Sequence, residues 1–61
     1  KKYSEAEKLL IEGYEKIKVI KGENNFNTIR FLEYIVNLFN QTKNSEKLIY
    51  YKNLLNLSKK N

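Results

Sequence analysis

The segment Tyr3-Ser4-Glu5-Ala6-Glu7-Lys8-Leu9-Leu10 returns in weakened form as Asn44-Ser45-Glu46-Lys47-Leu48-Ile49-Tyr50-Tyr51, with an apolar segment between the two copies. Internal repetition at a spacing of roughly forty residues is the mark of a helical repeat. In such arrays each unit buries the face its neighbour leaves open. Repeats of this kind build binding surfaces and seldom carry chemistry themselves.

The periodicity predicts three helices and no sheet. Proline is absent and glycine occurs only at Gly13 and Gly22, so only short polar clusters break the pattern. A first helix is expected over about 4–21. Ser4 and Glu7 have the Ser-x-x-Glu spacing of a capping box, and Ala6, Leu9, Leu10, Gly13, Tyr14, Ile17 and Ile20 form one wide apolar stripe. Gly22 follows Lys18 and Lys21 as a stop signal. A second helix is expected over about 28–42, capped by Asn27 or Thr28. It is apolar at Ile29, Leu32, Ile35, Val36 and Phe39 and again at Phe31 and Leu38, so it should be covered on two sides. After the turn Thr42-Lys43-Asn44, a third helix capped by Asn44 or Ser45 is expected over about 46–58. Its inner stripe is Leu48, Tyr51, Leu54, Leu55 and Ser58. Short loops make consecutive helices antiparallel neighbours. The fold class is therefore all-α, with residues 1–61 as one unit.

At 61 residues the chain buries only about 60% of its unfolded surface and is marginal on its own. Cysteine and histidine are both absent. That removes disulfides, thiolate metal sites, and the commonest general base and zinc ligand. Glu5, Glu7, Glu12 and Glu15 sit among Lys at helical spacing with no nucleophile nearby, and are read as a solvated face. Neither catalysis, a cofactor, a metal nor a small-molecule substrate is expected. No apolar run approaches the roughly 20 residues of a membrane span, and no signal-peptide core follows Lys1-Lys2-Tyr3-Ser4. A cytoplasmic setting is expected.

The net charge of +5 is uneven: +2 over residues 1–21, −1 over 22–42 and +4 over 43–61. Eleven of the twelve cations are Lys, whereas sequence readout of nucleic acid favours bidentate Arg. Tyr3, Tyr14, Tyr34, Tyr50 and Tyr51 are read as core or groove-edge residues rather than base-stacking platforms. Nucleic acid is not the expected partner.

The residues resemble tetratricopeptide repeats of the kinesin-light-chain-like kind. The family's connector Leu-Gly-x-x-His-Pro-x-Thr corresponds to Lys21-Gly22-Glu23-Asn24-Asn25-Phe26-Asn27-Thr28. Leu32, Ile35, Leu38 and Phe39 fit its first-helix pattern. Ala6 and Leu48 are then equivalent, 42 residues apart. Asn25 and Phe26 replace the connector His and Pro, Lys43 replaces the Gly between paired helices, and Leu48 replaces a small residue. Lys52 stands where an internal repeat keeps a large apolar side chain. These departures fit a terminal repeat. The resemblance implies one and a half repeats of an α-solenoid from the C-terminal part of an array. In it Ala6, Gly13, Gly22, Leu32, Phe39 and Leu48 are structural, and Gly13 sits at a close helix crossing.

It also implies a non-catalytic module for protein–protein interaction or scaffolding, in which the middle helix lines the binding surface. The candidate peptide-binding stripe is Arg30, Glu33, Asn37, Asn40 and Gln41. Amides can pair with an extended peptide backbone, and Arg30 can take a carboxylate. The alternative for the stripe is a solvated helix face. The alternative for the chain is a small basic three-helix domain that binds nucleic acid or an anionic surface. The first helix should expose apolar surface open to self-association.

Overall fold

The helices start and stop where backbone polar groups find local partners. The computed structural model describes residues 3–59, as α1 (Tyr3–Lys21), α2 (Phe26–Thr42) and α3 (Ser45–Lys59). Helix α1 ends in a left-handed cap: Gly22 has φ 93° and its N–H donates to the Lys18 carbonyl at 2.9 Å. At the other end, α1 already includes Tyr3, so Ser4 lies inside the first turn rather than capping it. Glu7 is not the partner in a capping box but pairs with Lys47 of α3.

The cap of α2 is Asn25, not Asn27 or Thr28. Its side-chain oxygen accepts the Asn27 N–H at 2.9 Å, and its carbonyl accepts the Ile29 N–H at 3.0 Å. Thr28 is instead fully buried, and its hydroxyl donates to the Gly22 carbonyl at 2.7 Å. Helix α2 therefore begins two residues before the expected start. At its far end Lys43 takes the left-handed conformation, φ 60°, that glycine would adopt freely. The N–H groups of both Lys43 and Asn44 donate to the Phe39 carbonyl. Asn44 then caps α3, accepting the Lys47 N–H on its side chain at 3.3 Å.

The contacts fix the directions. Glu7 meets Lys47 at 3.1 Å, and the rings of Tyr14 and Tyr51 lie edge to face at 6.4 Å, so α1 and α3 run parallel. Phe39 stacks on Tyr51 at 5.7 Å while Glu33 meets Lys59 at 3.4 Å, so α2 runs against both. Among the described residues no Cα of α1 comes within 8 Å of a Cα of α3, whereas α2 packs closely on each. The arrangement is an open layer around α2 rather than a closed bundle, with Cα extents of 32 × 20 × 13 Å.

The core follows from that placement. Leu32, Ile35 and Phe39 on α2 are fully buried, and Tyr14 and Tyr51 close over them from the flanking helices. Leu10, Ile11, Phe31, Val36, Leu48, Leu54 and Leu55 pack around this centre. The expected stripe on α1 is only partly used. Leu9 and Ile20 are 69% and 75% exposed, because α2 lies on the Leu10–Tyr14–Ile17 side and leaves the other edge of the stripe open.

Candidate functional site

The stripe Arg30, Glu33, Asn37, Asn40 and Gln41 forms the outward ridge of α2, opposite Leu32, Ile35 and Phe39, and all five residues are exposed. Helical spacing divides it between the two flanks. Glu33 leans toward α3, where Lys59 pairs with its carboxylate at 3.4 Å. Asn40 lies two turns further along the same edge. The Arg30 guanidinium sits over the exposed Phe26 ring, 4.8 Å from its centroid, in a cation–π contact. The structure thus does not bring the five residues to one point.

It does bring Asn37 and Gln41 together. Both line an open groove of about 430 Å³ between α1 and α2, with Ala6, Leu9 and Leu10 on one wall and Tyr34 and Leu38 on the other. No lining residue is charged. Two amides at the rim of an apolar floor can hold a peptide backbone while one or two apolar side chains enter. The amides stand on the polar stripe expected from the sequence, whereas the floor is built from residues expected elsewhere: Leu9 from the apolar stripe of α1 and Leu38 from the second apolar stripe of α2. Tyr34, read as core or groove edge, is at the groove edge. The signal that could have separated Leu9 from Leu10 is their helical angle, about 100° apart, which places them on different sides of α1.

The structural residues fall as follows. Leu32 and Phe39 are core, Gly22 is the α1 cap, and Leu48 packs at the edge of the core. Ala6 lines the groove. Gly13 receives the side of the Phe31 ring rather than a neighbouring backbone, so the close approach is ring to helix. Of the basic tail, Lys59 belongs to α3 and is paired with Glu33, while Lys60 lies outside the described residues.

A second, smaller hollow of about 150 Å³ lies where the C-terminal halves of α1 and α3 meet, with Tyr14, Lys18, Glu23 and Tyr50 among its walls. Burial raises the pKa of Tyr14 and likewise that of Tyr51. Burial pulls Lys18 down, but Tyr14 and Glu15 more than offset it and leave its pKa raised. All three groups thus hold their protons more firmly than usual, the reverse of what an activated nucleophile or base requires. Among the described residues no three carboxylates gather in a way that could hold a metal ion, and no helix is long and apolar enough to cross a membrane.

No family model matches the chain, and no curated protein or solved structure matches it significantly.

Proposed function

We propose that the chain is a non-catalytic protein-interaction module of the helical-repeat type, and that the groove between α1 and α2 takes a peptide of a partner protein. The observation that carries this reading is the meeting of the Asn37 and Gln41 amides with the apolar floor formed by Leu9, Tyr34 and Leu38. An uncharged groove selects an apolar side chain over an acidic one, and the amides align the peptide main chain beside it. The antiparallel packing of α2 against both α1 and α3 supports the resemblance to a tetratricopeptide-like solenoid, in which each helix packs mainly on its neighbours in the chain.

The alternative, a basic domain that grips nucleic acid, is less well supported. Lys18, Lys47 and Lys59 are each engaged with a glutamate, and no cation lines the groove.

The experiment is chemical-shift mapping of the full chain against an array of uncharged 12-residue peptides bearing Leu or Phe, and against a DNA duplex as control. Shifts at Leu9, Tyr34, Asn37 and Gln41 are expected with the peptides. A combined Asn37→Ala and Gln41→Ala change should weaken binding at least about tenfold, since two peptide hydrogen bonds are lost at about 1 kcal/mol each. Shifts confined to the lysines of α3, seen only with DNA, would refute the proposal.

A further inference from the structure

The outer edge of α1 leaves large apolar side chains uncovered. Leu9 and Ile20 stand there 69% and 75% exposed, with Val19 83% exposed nearby. Leu9 and Ile20 are eleven residues apart, which on a helix is three turns and about 20° of rotation. They therefore lie on one line. Lys16 lies between them close to that line and Glu12 about 60° to one side of it, and neither is engaged in an ion pair among the described residues.

This edge is complementary to itself. We infer that the chain forms a two-fold dimer in which α1 packs antiparallel against α1 of a second copy. In the register that sets Leu9 of one copy beside Ile20 of the other, the same contact occurs twice. Ile20 is then delivered to the mouth of the groove walled by Ala6, Leu9 and Leu10, so knob and hole are both present on every copy. The same register brings Lys16 of each copy against Glu12 of the other. In a parallel pairing these flanks would lie on opposite sides of the seam, and neither pair would form. The charges therefore select the antiparallel orientation and add little affinity, because exposed ion pairs contribute little.

The contact is small, below the roughly 1,200 Å² of a standard stable interface, so the dimer is weak and concentration-dependent. Because Ile20 sits at the groove mouth, a bound peptide and the second copy exclude one another. The dimer itself follows from the exposed edge and its charges, and does not rest on the peptide-binding proposal.

The test is sedimentation equilibrium of the peptide-free full chain from micromolar to millimolar concentration. A monomer–dimer equilibrium is expected. Ile20→Lys should weaken it at least about tenfold, since the two-fold axis counts each change twice, while leaving the helical circular dichroism intact. The same change at the exposed Ile49 of α3 should have no effect. Glu12→Lys and Lys16→Glu should each weaken the dimer, and their combination should restore it. A chain that stays monomeric to millimolar concentration would assign this edge to another occupant, such as a further helix, and overturn the inference. So would a dimer disrupted by Ile49→Lys and indifferent to Ile20→Lys.

Discussion

A Cβ placed on Gly13 would stand 2.7 Å from Cε1 of Phe31 and 3.0 Å from its Cζ. The α1–α2 contact is thus closed by one side of an aromatic ring set against a helix that carries no side chain at that point. Gly13 is costly to α1 by about 1 kcal/mol relative to alanine, and the contact with Phe31 is what it supports. Gly13→Leu gains the propensity but must displace the ring, at about 1–3 kcal/mol for overpacking. The expected outcome is a lower thermal midpoint. Gly13→Ala combined with Phe31→Leu should be more stable than the sum of the two single changes. Additive effects in that cycle would show that the ring does not depend on the glycine.

The two left-handed caps are occupied by different residues, and they should respond in opposite directions. Lys43 carries a side chain at φ 60°, where Gly22 carries none at φ 93°. Lys43→Gly removes strain of about 1 kcal/mol, reduced by the greater freedom of glycine in the unfolded chain. A rise of a few degrees in the midpoint is expected. Gly22→Ala meets no neighbour within 4 Å, so its cost of about 1 kcal/mol is purely conformational. Differential scanning calorimetry of both variants checks the sign; a Lys43→Gly protein that melts lower contradicts the cap assignment.

Thr28 ties α2 to the turn through a single buried hydroxyl. Thr28→Val keeps the shape and removes the hydrogen bond to Gly22. Water can reach the exposed Gly22 carbonyl in its place, so the loss should be about 1 kcal/mol rather than the larger cost of a buried orphan. Amide exchange at Asn25 and Asn27 should speed up more than exchange in α3. Uniform acceleration along the chain would mean that the bond supports global stability rather than the α1–α2 turn.

High pH should unfold the chain through its tyrosines. Burial raises Tyr14 and Tyr51 above the ordinary phenol value of 10.0. A raised folded-state pKa means that the native state holds the proton more tightly. The associated stability is fully present below about pH 10, the unfolded value, and is lost as pH rises through the raised values. Lys18, also raised, acts in the same direction. Tyrosinate absorbance and far-ultraviolet circular dichroism, followed together above pH 10, should show part of the phenol titration coinciding with loss of helix. Complete titration of all tyrosines with the helices intact would contradict the burial of Tyr14 and Tyr51.

The sequence by itself determined three helices and the core face of the middle one. Leu32, Ile35 and Phe39 recur at the spacing of a helix, and any helix carrying them must bury that side. It also marked Gly22 as the end of α1, because a glycine just past an amphipathic helix, with Lys18 and Lys21 in its last turn, takes the left-handed turn without strain. It did not determine which edge of the wide stripe on α1 is covered. Leu9 and Leu10 are equally apolar, and only the docking of α2 packs Leu10 against the core and leaves Leu9 exposed. The run Asn24-Asn25-Phe26-Asn27-Thr28 offers several capping side chains in succession. The choice of Asn25 accompanies a tertiary hydrogen bond, since Thr28 turns inward to Gly22 and leaves the capping position to its neighbour. The pairs Glu7–Lys47 and Glu33–Lys59 join residues 40 and 26 positions apart. No local periodicity encodes such partners. The tertiary structure decided them by bringing α1 and α3 parallel on either flank of α2, and so divided the ridge on α2 into a side tied to Lys59 and a side open to the groove.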